Sequence, residues 1–119
     1  MTLCVAAREF KQGQQLYQKA QDNEFYDVYC LDDALDSFTR AIKLAFEVDV
    51  ETEAIASAHL AKTFYKGYKN VEKAKHHYRN CIRLLETLKP KTYTDEKWHK
   101  LMMKHMKEIE QKEAEEEAA

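Results

Sequence analysis

Apolar residues recur every three or four positions along most of this chain, the spacing that lines one face of an α-helix. Leu3, Ala6, Phe10, Gly13, Tyr17 and Ala20 form the first stripe and predict a helix over 3–21. The polar cluster Asp22-Asn23-Glu24 and the aromatics Phe25, Tyr26 and Tyr29 interrupt it. Leu31, Ala34, Phe38, Ala41 and Ala45 predict a second helix over 30–48. Asp32, Asp33 and Asp36 stand in its first turns, where carboxylates favour the positive end of the helix dipole. Ile55, Ala58, Ala61 and Tyr65 give a third helix, 51–68, opened by Glu51 and Glu53 and ending near Gly67–Asn70. Val71, Ala74, Tyr78, Cys81, Leu85 and Leu88 give a fourth, 71–89, which stops at Pro90. Thr94-Asp95-Glu96 reads as an N-cap with an acidic first turn. It opens a fifth helix, 94–111, through Trp98, Leu101, Met102, His105 and Ile109. Beyond it, 111–119 keeps helix propensity, loses the apolar face and reads as an acidic helical or frayed tail.

Composition narrows the fold class to all-α. Two glycines and one proline in 119 residues cannot supply the turn every 8–12 residues that a β-sandwich or barrel needs. A hydrophobic fraction of 45% fills the core of one domain, expected over 1–110. No apolar run approaches the roughly 18 residues of a membrane span, and Met1–Ala7 is too short for the apolar core of a signal peptide.

Charge adds a pattern that the net value of −2 conceals. Residues 1–50 carry 5 Lys/Arg against 9 Asp/Glu, a net of −4, whereas 51–90 carry 8 against 4, a net of +4. A basic middle between acidic ends points either to an anionic partner or to ends that fold back on the middle. With no basic stripe interleaved with aromatics, no nucleic-acid role is expected. Cys4, Cys30 and Cys81 are odd in number and far apart, so they read as reduced thiols of a cytoplasmic or nuclear protein.

Comparing the chain with itself at an offset of 40 aligns Ala34, Phe38, Ala41 and Ile42 with Ala74, Tyr78, Cys81 and Ile82. Ala58, Ala61 and Tyr65 fall on Trp98, Leu101 and His105. One helix pair cannot bury its own apolar stripe, so stacked copies are the physical use of such a pattern. These residues resemble the tetratricopeptide repeat (TPR). ALDSFTRAIKLA and EKAKHHYRNCIRLL fit its second-helix signature, with Cys81 in place of an alanine. Gly13 and Leu16, then Ala58, Ala61, Lys62 and Tyr65, fit its first-helix set, which Trp98 and Leu101 begin again. The resemblance implies an antiparallel helical-hairpin repeat, a TPR-like α-solenoid of about two hairpins plus a C-terminal helix. It covers about 5–110. The period exceeds the usual ~34 residues, so helices longer by a turn are expected, and the first hairpin carries nine extra residues at Asp22–Cys30.

The histidines give no metal site. His76 and His77 are adjacent and His99 and His105 are six apart, so neither pair has the i, i+4 spacing of a helical zinc site. His76 and His77 read as solvated positions, and His105 as a packed or interface residue. No nucleophile–base constellation or phosphate loop is present, Cys30 and Cys81 read as buried small residues, and no enzyme and no cofactor are expected.

In the resembled family the first helices line a concave groove. Carried onto this chain, that selects Phe10, Lys11, Gln14, Tyr17 and Gln18, then His59, Leu60, Thr63 and Lys66, then Glu96, His99, Lys100, Met103, Met106 and Lys107. Such a lysine-containing groove suits an acidic or amphipathic peptide segment of another protein, with Met102, Met103 and Met106 as an exposed, adaptable region. The family's chaperone-binding carboxylate clamp maps to Phe10, Gln14, Leu60, Glu96 and Lys100, and only Lys100 keeps its chemistry, so that clamp is not expected. QKAQDN and ALDSFTRAI also resemble the first two helices of a microtubule-interacting-and-trafficking domain, the alternative reading. A third is a structural scaffold that self-associates through the C-terminal helix. Glu113 and Glu115–Glu117 either extend the last helix as a solvated end or fold over the lysine-rich surface.

Overall fold

The computed structural model describes residues 2–21, 28–88 and 92–118; the first part of the 22–30 insertion and Pro90 lie outside them. Five helices account for nearly all of these residues: α1 (Thr2–Gln21), α2 (Val28–Ala45), α3 (Val50–Lys62), α4 (Val71–Thr87) and α5 (Tyr93–Ala118). Among the described residues there is no strand. One π-helical turn, Thr63–Gly67, continues α3.

Each helix packs chiefly on its neighbour in the chain, and α3 also touches α1 and α5. The paired residues give the directions. Gly13 faces Phe38 while Glu9 binds Arg40 at 3.1 Å, so α1 and α2 run antiparallel. Glu86 meets His99 and Lys75 meets Glu113, so α4 and α5 do the same. Phe10 meets His59 and Tyr17 lies under Lys62; His59 in turn meets Trp98 and Tyr65 meets Lys112. Helices α1, α3 and α5 are therefore parallel to one another.

Two buried clusters hold the array together. One joins α1, α2 and α3 through Tyr17, Leu31, Ala34, Phe38 and Leu60. The other joins α3, α4 and α5 through Ala58, Ala61, Tyr78, Leu85, Met102 and Ile109. Residues 40 apart play equal parts here: Ala34 and Ala74, Phe38 and Tyr78, Ala41 and Cys81 are all fully buried. Small residues let the helix backbones approach, and the large ring opposite fills the space between them. The repeat weakens on α5, where Leu101, the counterpart of buried Ala61, is 37% exposed.

Local chemistry moves three helix ends away from their expected places. Helix α2 stops at Ala45 rather than at 48, because the Val48 and Asp49 amides both donate to the Ala45 carbonyl (2.9 and 2.8 Å) around Glu47 at φ 61. Asp49 then caps α3 by accepting from the Thr52 amide. The cap of α5 is Thr92, not Thr94. Its hydroxyl accepts from the Asp95 amide (3.1 Å) and the Asp95 carboxylate accepts from the Thr92 amide (3.0 Å), a reciprocal capping box. At its far end α5 runs to Ala118 instead of 111. Glu113 there accepts from Lys75 (2.8 Å), while Glu115–Glu117 remain exposed.

The tightest joint is Gly13 on α1. A Cβ at this position would lie 2.7 Å from the Phe38 ring, itself fully buried. Overpacking of this kind costs ~1–3 kcal/mol, against about 1 kcal/mol gained when alanine replaces a helical glycine. Gly13→Ala is therefore expected to lower stability by about 1 kcal/mol, measured by urea denaturation, and Phe38→Leu in that background to recover part of the loss. A Gly13→Ala protein as stable as wild type would contradict this close approach.

Candidate interaction surface

The elements bring three parallel helices to a common joint at His59. Its ring lies edge-on to Phe10 of α1 (5.0 Å) and to Trp98 of α5 (5.1 Å), and stacks on Phe38 of α2 (5.5 Å, 17°). The imidazole Nε2 is buried with no hydrogen-bond partner among the described residues. Burial, reinforced by the Lys62 charge, pushes this histidine down to about 4, so the ring is neutral near pH 7. It acts as an aromatic spacer that sets α1, α3 and α5 in register.

The expected groove residues divide into groups. His99, Lys100, Met103 and Lys107 are brought together on α5, where with Lys104, Glu108 and Gln111 they line a depression of about 490 Å³. Lys66 lies apart from them, in a separate cavity of about 630 Å³ bounded by Tyr65, Lys69 and Lys112. Lys11, Gln14 and Gln18 are exposed on α1. His59, also expected in the groove, is taken up by this interior joint, and three further assignments are corrected by burial. Tyr17 packs in the core beneath Lys62, Thr63 is fully buried with its hydroxyl donating to the His59 carbonyl (2.8 Å), and Leu60 belongs to the α1–α3 cluster. None of these three offers a surface to a partner.

The methionines are corrected in the same way. Met102 and Met106 are buried against α3 and α4, and Met103 alone of the three is exposed, at 38%. The signal lay in the stripe itself: Trp98, Met102, Met106 and Ile109 follow one another at helical spacing and turn the same side of α5 inward. That roll directs Met103 and Lys107 toward α4, where both also line a trough with Arg79, Ile82 and Arg83. His99 is held there by Glu86 at 3.2 Å.

Chemistry elsewhere is quiet. His77, expected in solvent, stacks on Phe64 (5.4 Å), and burial pushes it down to about 4. His105 packs edge-on against Tyr78 (5.6 Å). Cys30 and Cys81 are buried and outside any disulfide, and burial pushes Cys81 up to about 12, which keeps it protonated and unreactive. Among the described residues no cluster of three His, Cys, Asp or Glu side chains could hold a metal ion. No described helix is long and apolar enough to cross a membrane.

The buried histidines make stability depend on pH. In the unfolded chain His59 takes a proton near 6.5, whereas in the fold it resists protonation until about 4. The His59 contribution to stability is therefore full above pH 6.5, falls as the pH drops toward 4, and levels off below, a loss of about 3 kcal/mol. His77 and His105, also lowered, act in the same sense. Glu51 and Glu53, held above the usual carboxylate range by a hydrogen bond to Asp95 and by burial respectively, act in the opposite one. Thermal midpoints measured from pH 7 to pH 4 are expected to fall more for wild type than for His59→Phe. Equal falls would show that the joint does not exclude the proton.

Set against known proteins, the chain stands on this geometry: no family model matches it, and neither the curated proteins nor the solved structures give a significant match.

Proposed function

We propose that this chain is a TPR-like helical repeat module, cytoplasmic or nuclear, that binds an acidic segment of another protein and performs no chemistry of its own. The observation that carries the reading is the surface gathered on α5. Lys100, Lys104 and Lys107 surround the exposed Met103, with Glu108 the one carboxylate in that depression. Lysines around an apolar anchor suit carboxylates spaced along an apolar stripe. The repeat half of the reading is supported by the equal burial of residues 40 apart and by the alternating directions of the five helices. The three-helix trafficking-domain alternative accounts for α1, α2 and α3 only, whereas α3 and α4 pack as a second antiparallel pair.

The carboxylate clamp remains outside the proposal. Leu60 is buried and Glu96 brings a negative charge to a position where that clamp needs a cation.

Fluorescence anisotropy with a labelled Glu/Leu-rich peptide tests the reading. Binding is expected to weaken about tenfold with Lys100→Glu/Lys104→Glu and to fall as salt is raised. Amidating the peptide's C-terminus should leave the affinity unchanged. An affinity insensitive to both charge reversal and salt would sink the proposal.

A further inference from the structure

We infer that the trough between α4 and α5 docks an acidic amphipathic helix of a partner protein, an inference that rests on the acidic-segment reading and specifies the conformation and seat of that segment. Arg79, Ile82 and Arg83 of α4 face Met103, Met106 and Lys107 of α5 across a cavity of about 350 Å³. Met103 and Lys107 belong to this trough and to the neighbouring depression alike, so the two form one continuous strip.

The arrangement of that strip favours a helix. Its floor is apolar, made by Ile82, Met103 and Met106, and cations stand on both rims. Arg79 and Arg83 lie on the α4 side, and Lys100, Lys104 and Lys107 on the α5 side. A helix with an apolar stripe beneath and carboxylates on both flanks meets all three rows at once. From His99 to Gln111 the strip extends about 18 Å, three turns of helix. An extended peptide has less to hold here. Both walls are helices whose backbone groups bond within themselves, so neither offers a strand edge for main-chain pairing.

The acids on the strip do not cancel its charge. Glu86, which also meets His99 (3.2 Å), Glu108 and Glu110 stand against five Lys/Arg side chains, so the strip keeps an excess of positive charge. The complement is therefore an acidic partner. Methionine side chains adapt to varied apolar surfaces, so Met103 sets the site's chemistry more than its exact shape.

The probe is a lactam-bridged helical peptide of about 14 residues, or four turns, with Leu at helical spacing and Glu elsewhere. A second peptide of the same composition has the Leu positions scrambled. The helical peptide should bind about tenfold more tightly than its scrambled twin, and Arg79→Glu/Arg83→Gln should abolish about tenfold of that affinity. Glutamine is chosen at 83 because the Arg83 charge also acts favourably on the buried Glu53 carboxylate; thermal melts verify that the variant is folded. Met103→Ser should weaken the helical peptide more than the scrambled one. Equal binding of the two peptides, or a loss with Lys100→Glu/Lys104→Glu but none with Arg79→Glu/Arg83→Gln, overturns the trough while leaving the acidic-segment reading intact. Failure of every acidic peptide to bind overturns both. Self-association in sedimentation that the helical peptide displaces would assign the trough to a second copy of this chain and overturn the choice of partner.

Discussion

The contact on which the rest of the structure depends is the approach of α1 to the Phe38 ring at Gly13. A missing side chain there lets two helix backbones close on a fully buried aromatic. His59 stacks on that ring at 5.5 Å, and His59 reaches Phe10 and Trp98 in turn. Four helices thus take their relative positions from one chain of rings. Only rings neutral and apolar enough to live without water can form it, which explains how a histidine with an unpaired Nε2 is tolerated at the centre. The stack replaces hydration with aromatic contact on several sides.

Much of the fold was legible because its periodicity follows directly from burial. Ala34, Phe38 and Ala41 predict the environment of Ala74, Tyr78 and Cys81 since both sets solve the same packing problem, a small residue against a backbone and a ring in the gap. Helix ends were less legible, because they turn on single hydrogen bonds. The Thr92–Asp95 box and the Glu47 turn are decided by which polar group reaches which amide, and the apolar stripe carries no record of that. The candidate surface was legible in composition and not in assembly. Lysines on first helices could be counted, yet whether they share one groove depends on how far α5 is rolled about its own axis. Met102, Met106 and Ile109 fix that roll, and it carries Lys100, Met103 and Lys107 away from Lys66.

The separation of charge along the chain now has a spatial meaning. Helix α5 and the acidic end of the chain are tied to α4 by Glu113 on Lys75 and Glu86 on His99. Glu113 thereby neutralises one cation of the basic middle, Lys75, where α5 packs on α4. Lys100, Lys104 and Lys107 of α5 stay exposed. The tail continues α5 as a helical extension: Glu113 closes onto Lys75 of α4, and Glu115–Glu117 follow as an exposed helical turn.

The seat of Trp98 gives the molecule a built-in optical property. It is the only tryptophan in the chain, and its indole lies 5.1 Å from the His59 ring where α3 meets α5. Imidazole in its cationic form draws electrons from an excited indole, whereas the neutral ring does so weakly. Emission from this one residue is therefore sensitive to the protonation of His59, and through it to the integrity of the joint between α3 and α5, without any label attached to the protein.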